Sequence, residues 1–152
     1  MTDIEHQRGE VVRLWLKRFK GGPMDPVLFA EAVAARGLAG NANQGGKRQV
    51  TLIDEMRWVE ACRELGIDVD PSARRANVML RGIDLENMRG RTLRIGRALM
   101  HVYNETRPCE QMDDAQPGLR AALGPRWRAG AYGEIVEGGV IRLGDPAEWV
   151  GL

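Results

Sequence analysis

The sequence predicts one mainly-β domain, a sandwich or a barrel, with two or three short helices. Its 152 residues suit a single domain. The 19 glycines indicate many turns. Short apolar segments recur at spacings of roughly ten residues between Gly, Pro or Asp, which is typical of sandwiches and barrels. With no internal repeat and no linker, we assign one domain to residues 9–150.

The N-terminal part predicts a strand followed by a segment of mixed character. Residues 9–19 alternate in polarity, with Val12, Leu14 and Leu16 on one face. After a break that contains two Gly and two Pro, the Ala-rich segment 27–36 predicts a helix by propensity. Its valines and flanking glycines also permit a strand.

A glycine loop at 37–46 and a short β-branched strand at 49–53 lead into a clear amphipathic helix. Asp54 is a good N-cap and Gly66 a good C-cap. The repeated apolar positions between them are Met56, Val59, Cys62 and Leu65. A second short helix is predicted at 118–123.

Six further short apolar segments predict strands. They are residues 77–80, 92–95, 98–103, 132–136, 140–143 and 149–150.

Composition excludes several classes of protein. A net charge of +1 argues against a dedicated nucleic-acid binder. No apolar stretch is long enough for a membrane helix, and the polar N-terminus (1–10) resembles neither a secretory signal nor a transit peptide. The two Cys cannot form a disulfide framework, which indicates a reducing, cytoplasmic environment. The Cys and His residues also lack zinc-site spacing.

The glycine-rich segment GNANQGGKR (40–48) is not a nucleotide-binding P-loop. Asn41 occupies the place of the first required glycine, and Arg48 replaces the hydroxyl residue. A strand follows it instead of a helix. Two interpretations remain, a turn whose backbone N–H groups bind an anion and a plain surface turn.

Arginine is unusually common, at 19 residues against three lysines. Genome composition accounts for most of this excess, but position singles out one cluster. Arg74 and Arg75 follow a Pro-Ser loop and precede a short strand, with Asn77 two residues further on. An Arg–Arg–x–Asn cluster on a rim is suited to bind an anion through paired hydrogen bonds.

The two cysteines differ in character. Cys109 follows Arg107 and Pro108 near a predicted strand end. A neighbouring guanidinium favours the thiolate, which is the nucleophile and the soft-metal ligand. Reactivity and inertness both remain open at this point. Cys62 lies on the apolar face of the predicted helix and is expected in the core. His101 is expected to be a half-buried strand residue.

The order of motifs resembles the MOSC domain, the C-terminal module of molybdenum cofactor sulfurases. The matching pieces are KGGPMDPV (20–27), RGLAGN (36–41), RQVTLID (48–54), RRANVMLRGIDLENMRGRTLRIG (74–96), TRPCEQMD (106–113), PGLRAAL (117–123) and GGVIRLGDP (138–146). The resemblance implies a mixed-strand β-barrel, closed or partly open and of the pyruvate-kinase-barrel type, with short helices. It also implies that part of segment 27–36 is strand.

The resemblance assigns roles to particular residues. The family's single cysteine corresponds to Cys109, which ligates molybdenum in some members and is proposed to carry a persulfide in others. Arg48, Arg75 and Asn77 match basic and polar positions expected to bind the cofactor's phosphate and pterin, and Arg107 is a further candidate. Many relatives have Asp where this chain has Asn41, so one charge is missing there.

Three functions follow as hypotheses. The first is a molybdenum-cofactor oxidoreductase that reduces N-hydroxylated substrates with an external reductase. The second is a sulfur carrier that receives a persulfide on Cys109 from a cysteine desulfurase. The third is a non-catalytic anion-binding barrel. Pyridoxal phosphate, which the family's sulfurases use in a separate domain, is not expected, and neither nucleic acid nor membrane is an expected partner. A barrel without a second domain is expected to bind the molybdenum cofactor weakly, or only with a partner.

Overall fold

A closed, seven-stranded β-barrel forms the centre of the molecule. The computed structural model describes residues 7–151. His6 and most of the polar N-terminal segment 1–10 lie outside the described residues. The strands in this range are β1 Gly9–Lys17, β2 Met24–Pro26, β3 Phe29–Val33, β4 Gly37–Leu38, β5 Val50–Asp54, β6 Val78–Arg81, β7 Thr92–Ile95, β8 Ala98–Glu105, β9 Ala131–Glu137, β10 Gly139–Arg142 and β11 Pro146–Val150. The helices are α1 Glu55–Leu65, α2 Glu110–Ala115 and α3 Leu119–Ala122, with a 3-10 turn at Pro71–Arg74.

The barrel order is β1-β6-β5-β9-β8-β7-β11, and pairing of β11 with β1 closes the ring. Only β5 and β6 pair in parallel among the described strands of the ring, and α1 makes the crossover between them. The remaining barrel pairs are antiparallel. The mixed-strand barrel is therefore confirmed, and all six short apolar segments contribute to strands.

The barrel interior holds the larger of two cores. Leu14 and Leu16 point into it, as the alternation in the first strand predicts. Val12 does not share their face, because the register of β1 against β6 shifts between Val11 and Arg13. Val11 therefore lies inside and Val12 packs outside, against the helices. The bulge depends on the partner strand, so alternation within β1 cannot reveal it.

The predicted helix at 27–36 is wrong. β3 occupies residues Phe29–Val33 and lies between β4 and β10 in a three-stranded sheet. Ala30 and Ala32 are buried, while the residues that alternate with them are exposed. This period of two comes from sheet packing, which overrides the helix propensity of alanine. The strand implied by the family resemblance is the correct one.

The helix α1 begins and ends as predicted. Asp54 Oδ1 accepts the N–H of Met56 at 2.9 Å, and Gly66 adopts the left-handed conformation at the C-cap. Its buried face differs from the predicted one, because Met56 and Val59 are exposed. Arg57, Trp58, Ala61 and Cys62 are buried instead.

A second core lies between the barrel wall and the three helices. We call it the helix-side core, and its buried members are Trp15, Ile53, Trp58, Ala61, Cys62, Ala76, Met79, Met112, Leu119, Ala122, Leu123 and Ala129. The helix α3 lies within the predicted segment 118–123, whereas α2 has no counterpart in the sequence prediction. Cys62 is buried here, as expected. None of the described helices is both long and apolar enough to cross a membrane.

Candidate functional site

Cys109 lies at the entrance to α2, on the helix-covered side of the barrel. The strand β8 ends at Glu105, and residues 106–109 run from there to the helix. Cys109 occupies the N-cap position in extended backbone, and its side chain is exposed. The helix packs against the 3-10 turn at Pro71–Arg74. The turn thus brings an arginine pair next to the segment that carries the thiol.

Arg74 and the segment that leads to Cys109 donate hydrogen bonds to two consecutive backbone carbonyl groups. Arg74 Nε donates to the carbonyl oxygen of Ala129 at 2.5 Å, and the N–H of Thr106 donates to that of Gly130 at 2.8 Å. Because the two acceptors are consecutive, Arg74 and the segment that leads to Cys109 lie side by side. Arg74 is only 7% exposed, and no carboxylate among residues 7–151 pairs with it.

Burial and two neighbouring groups shift the pKa of Arg74. Burial lowers the pKa of its guanidinium to about 10, Cys109 acts in the opposite direction, and Arg48 lowers the pKa further. The guanidinium therefore remains protonated at neutral pH. We group Cys109, Arg74 and Arg48 together as the thiol site.

Arg48 is exposed and stacks on the wall of the barrel. Its Cζ lies 4.6 Å from the ring centroid of Tyr132, and Lys47 Nζ lies 5.6 Å from that of Tyr103. Tyr103 in turn donates its hydroxyl to Glu134 at 2.8 Å. The cation–π contact places Arg48 on Tyr132, two positions after Gly130, and leaves its charge in place.

The side chains of Asn77 and Asn41 are buried and form hydrogen bonds with backbone groups. The N–H of Thr51 donates to Asn77 Oδ1 at 3.1 Å, and Asn77 Nδ2 donates to the carbonyl of Trp15 at 3.3 Å. Asn77 Nδ2 also donates to Asn41 Oδ1, which accepts the N–H of Lys17 at 2.9 Å. Asn41 Nδ2 is buried without a partner in the described part of the chain. The pair ties β1, β5 and the glycine loop together.

Arg75 lines a cleft of about 520 Å³ that Arg74 does not line, and we call it the basic cleft. Its backbone is left-handed at the end of the 3-10 turn, and its side chain donates to the carbonyl of Gly22. Lys17 and Lys20 line the same cleft, together with residues of α2 that include Asp114. Burial, and then the charges of Arg75 and Lys20, lower the pKa of Lys17.

Two arginines are associated with Cys109, one by sequence and one by the fold. Arg107, two residues away, is exposed and forms no hydrogen bond or ion pair with any residue of the described range. Arg74 is 35 positions away in sequence, and the fold brings it beside the segment that leads to Cys109. Arg74 and Arg75 both belong to the Arg–Arg–x–Asn motif, but only Arg75 lines the basic cleft.

Some arginines of the described chain are paired with carboxylates and others are not. Arg57, Arg81 and Arg128 each contact at least two carboxylates. By contrast, the cations of the thiol site and the basic cleft have no carboxylate partner in the described range. They are Lys17, Lys20, Arg48, Arg74 and Arg75. Unpaired guanidinium and ammonium groups around a cleft favour an anionic ligand.

The metal-binding capacity of the chain is limited. No group of three or more His, Cys, Asp or Glu side chains within residues 7–151 could hold a metal ion. At the thiol site the chain offers one sulfur ligand. A metal there would have to bring its remaining ligands with it, as a metal held in an organic cofactor does.

The fold and the site define a class: a mixed β-barrel that carries an exposed cysteine beside unpaired arginines on its helix-covered side. The family model of the MOSC domain matches residues 16–148, and the chain belongs to this family. No curated protein matches the chain in sequence.

Solved structures share the fold at low sequence identity. The YuaD protein of Bacillus subtilis is 18% identical with a TM-score of 0.80, over 93% of this chain and 95% of that one. YiiM from Geobacillus stearothermophilus is 19% identical with a TM-score of 0.71, over 94% of this chain and 75% of that one. YiiM from Escherichia coli is 17% identical with a TM-score of 0.70, over 94% and 70%.

Proposed function

We propose that the chain binds the molybdenum cofactor at the thiol site and acts in the reduction of N-hydroxylated substrates. The observation that carries this proposal is the exposed Cys109 beside the buried, unpaired Arg74. The family supplies the identity of the cofactor, and the chemistry of the site agrees with it. Cys109 provides one thiolate, while the cofactor's own sulfur ligands supply what the chain lacks.

The basic residues divide the remaining work. Arg75, Lys17 and Lys20 in the basic cleft would hold the cofactor phosphate, and Arg48 would contact the pterin edge. Arg74 would place a positive charge beside the segment that carries Cys109, where it favours an anionic ligand. Asn77 and Asn41 act through the backbone by fixing β1 and the glycine loop. When bound, the metal supplies a two-electron reduction of the N–O bond, and an external reductase supplies the electrons.

Metal content tests this function. The wild-type chain and two variants, Cys109→Ser and Cys62→Ala, are purified from a host that makes the cofactor. We expect molybdenum near one equivalent in the wild type and in the Cys62 variant, and a strong loss in Cys109→Ser. Cys62 is the matched control because it is the chain's other cysteine and is buried in the helix-side core. Equal molybdenum in all three proteins, or none in any, contradicts the proposal.

A second function is favoured by the openness of the thiol. Cys109 is exposed and no further metal-ligating cluster accompanies it in the described range. A sulfur carrier needs such a thiol, because a donor enzyme must reach it. In this function Cys109 receives a persulfide sulfur from a cysteine desulfurase and passes it to an acceptor.

Intact mass separates the two functions. After incubation with a desulfurase and cysteine, a carrier gains about 32 Da, the mass of one sulfur atom, and a reductant removes it. The gain should persist in Cys62→Ala and disappear in Cys109→Ser. A gain that survives in Cys109→Ser contradicts the carrier function. Anion binding with neither molybdenum nor sulfur on Cys109 would leave the chain as a non-catalytic barrel.

A further inference from the structure

We infer that Cys109 accepts sulfur directly from thiosulfate, with Arg74 and Arg48 as the groups that bind the sulfonate end of the donor. The inference rests on the sulfur-carrier function proposed above and names its small-molecule donor. Thiosulfate is a small dianion with a transferable outer sulfur. It requires a nucleophilic sulfur that solvent can reach and nearby cations without a carboxylate partner. The thiol site provides the exposed Cys109 and, within residues 7–151, the unpaired Arg74 and Arg48.

Arg74 is suited to recognise an oxyanion. Its side chain is more than nine-tenths buried, and Nε is held by the carbonyl of Ala129. This single bond fixes the plane of the guanidinium, while its two terminal nitrogens form no hydrogen bond with residues 7–151. A fixed fork with free donors binds the oxygens of a sulfonate in pairs.

Two further groups lie beside this fork. Thr106, three residues before Cys109, is 4% exposed, and its hydroxyl has no partner in the described part of the chain. The N–H of Thr106 binds the carbonyl next to the one that holds Arg74, so the two residues lie on neighbouring backbone. Arg48 adds a second, exposed cation, which stacks on Tyr132 two positions after Gly130. A buried hydroxyl without a partner is costly unless a ligand or water completes it.

The transfer balances without an external oxidant or reductant. The Cys109 thiolate attacks the outer sulfur of thiosulfate and forms a new S–S bond. The bond between the two sulfur atoms of the donor breaks, and its electron pair leaves with sulfite. Cys109 ends as a persulfide anion. The total charge of about −3 is the same for the reactants, thiolate and thiosulfate, and for the products, persulfide and sulfite. The negative charge that develops on the leaving sulfite lies next to Arg74 and Arg48, which stabilise it.

The test is a single-turnover reaction of the purified full chain with thiosulfate, with no desulfurase and no metal added. Released sulfite is measured by a dye assay and the product by intact mass. We expect one sulfite per chain and a gain of about 32 Da that Cys109→Ser abolishes and Cys62→Ala retains. Arg74→Gln and Arg48→Gln should each slow the transfer by roughly tenfold or more, because each removes a charged donor.

A matched control separates this effect from a general loss of positive charge. Arg97 is exposed and lies at the turn before β8, at the end of that strand opposite Thr106. Arg97→Gln should transfer sulfur at the wild-type rate. Because Arg74 is buried, its variant is checked by thermal unfolding, and exposed Arg48 gives an answer even if Arg74→Gln fails to fold.

The outcomes are distinct from those of the proposed functions. Sulfite release that equals the Cys109→Ser background overturns the inference. If the desulfurase still loads Cys109, the carrier function stands and only the thiosulfate donor is wrong. Transfer that proceeds equally in Arg48→Gln, Arg74→Gln and Arg97→Gln overturns the assigned recognition. Molybdenum content is measured separately and does not enter this assay.

Discussion

Replacing Asp54 by asparagine should stabilise the protein at neutral pH. Asp54 is 1% exposed; its Oδ1 accepts the N–H of Met56, while Oδ2 has no partner among residues 7–151. Burial raises the pKa of this carboxyl from 3.8 to about 6; the bond from Met56 opposes the rise and the charge of Asp84 adds to it. The folded state therefore binds this proton more tightly than the unfolded chain does.

The magnitude follows from the difference between the two pKa values. Stability falls as pH rises from about 4 to 6, because the folded protein must hold a buried carboxylate that the unfolded chain hydrates freely. At about 1.36 kcal/mol per pKa unit, the penalty reaches at most about 3 kcal/mol at pH 7. Asparagine retains the N-cap acceptor and carries no charge. The stabilisation of Asp54→Asn should thus approach about 3 kcal/mol above pH 7 and vanish near pH 4.

The assay is urea denaturation of both proteins at half-unit steps from pH 4 to pH 8. Asp70 is the matched control, since it caps the 3-10 turn in the same way but is exposed. Its bonds from Ser72 lower its pKa, so its contribution is present at neutral pH and is lost in acid. Asp70→Asn should therefore destabilise at pH 7. The reasoning is refuted if Asp54→Asn is less stable than the wild type at pH 8, or if their difference does not grow with pH.

Three more predictions concern backbone, core and thiol. Gly130→Ala should prevent folding or destabilise strongly, because φ is +101° and the added methyl carbon would lie 1.9 Å from the carbonyl oxygen of Leu52; thermal unfolding measures it. Asn77→Ala should cost about 2–4 kcal/mol in chemical denaturation, since it removes three hydrogen bonds of a buried side chain; a loss below 1 kcal/mol would contradict that. Iodoacetamide should label Cys109 quickly and Cys62 only on unfolding, as peptide mass mapping would show.

Local patterns explain how far sequence analysis succeeds for the fold. The helix α1 is predicted from its caps and the short strands from apolar segments between turn residues, because both depend on neighbours within a few positions. For the segment that forms β3, the prediction from helix propensity alone is wrong. In this strand the alanines are buried and the residues between them are exposed. This pattern forms only when β10, more than a hundred positions away in sequence, pairs with β3.

In the candidate site, too, local sequence patterns identify some residues, while contacts between distant residues decide the roles of others. Cys109 stands out from its residue type and its neighbours, and its exposure agrees with a role in chemistry. Asn77 belongs to the predicted set, but its hydrogen bonds join β1 and β5, which lie far from each other in sequence. A polar residue in a motif can bind a ligand or a backbone, and burial decides between them.

By itself, the sequence determined the strand-rich domain, the capped helix and the cysteine on which the proposed chemistry depends. The tertiary structure decided the closure of the barrel by β11 against β1 and the approach of Arg74 to the segment that leads to Cys109. Both decisions depend on contacts between distant residues, such as Arg74 with Ala129. Register and burial set such contacts only when the strands assemble, because no local pattern records which side chains the closed barrel will bring together.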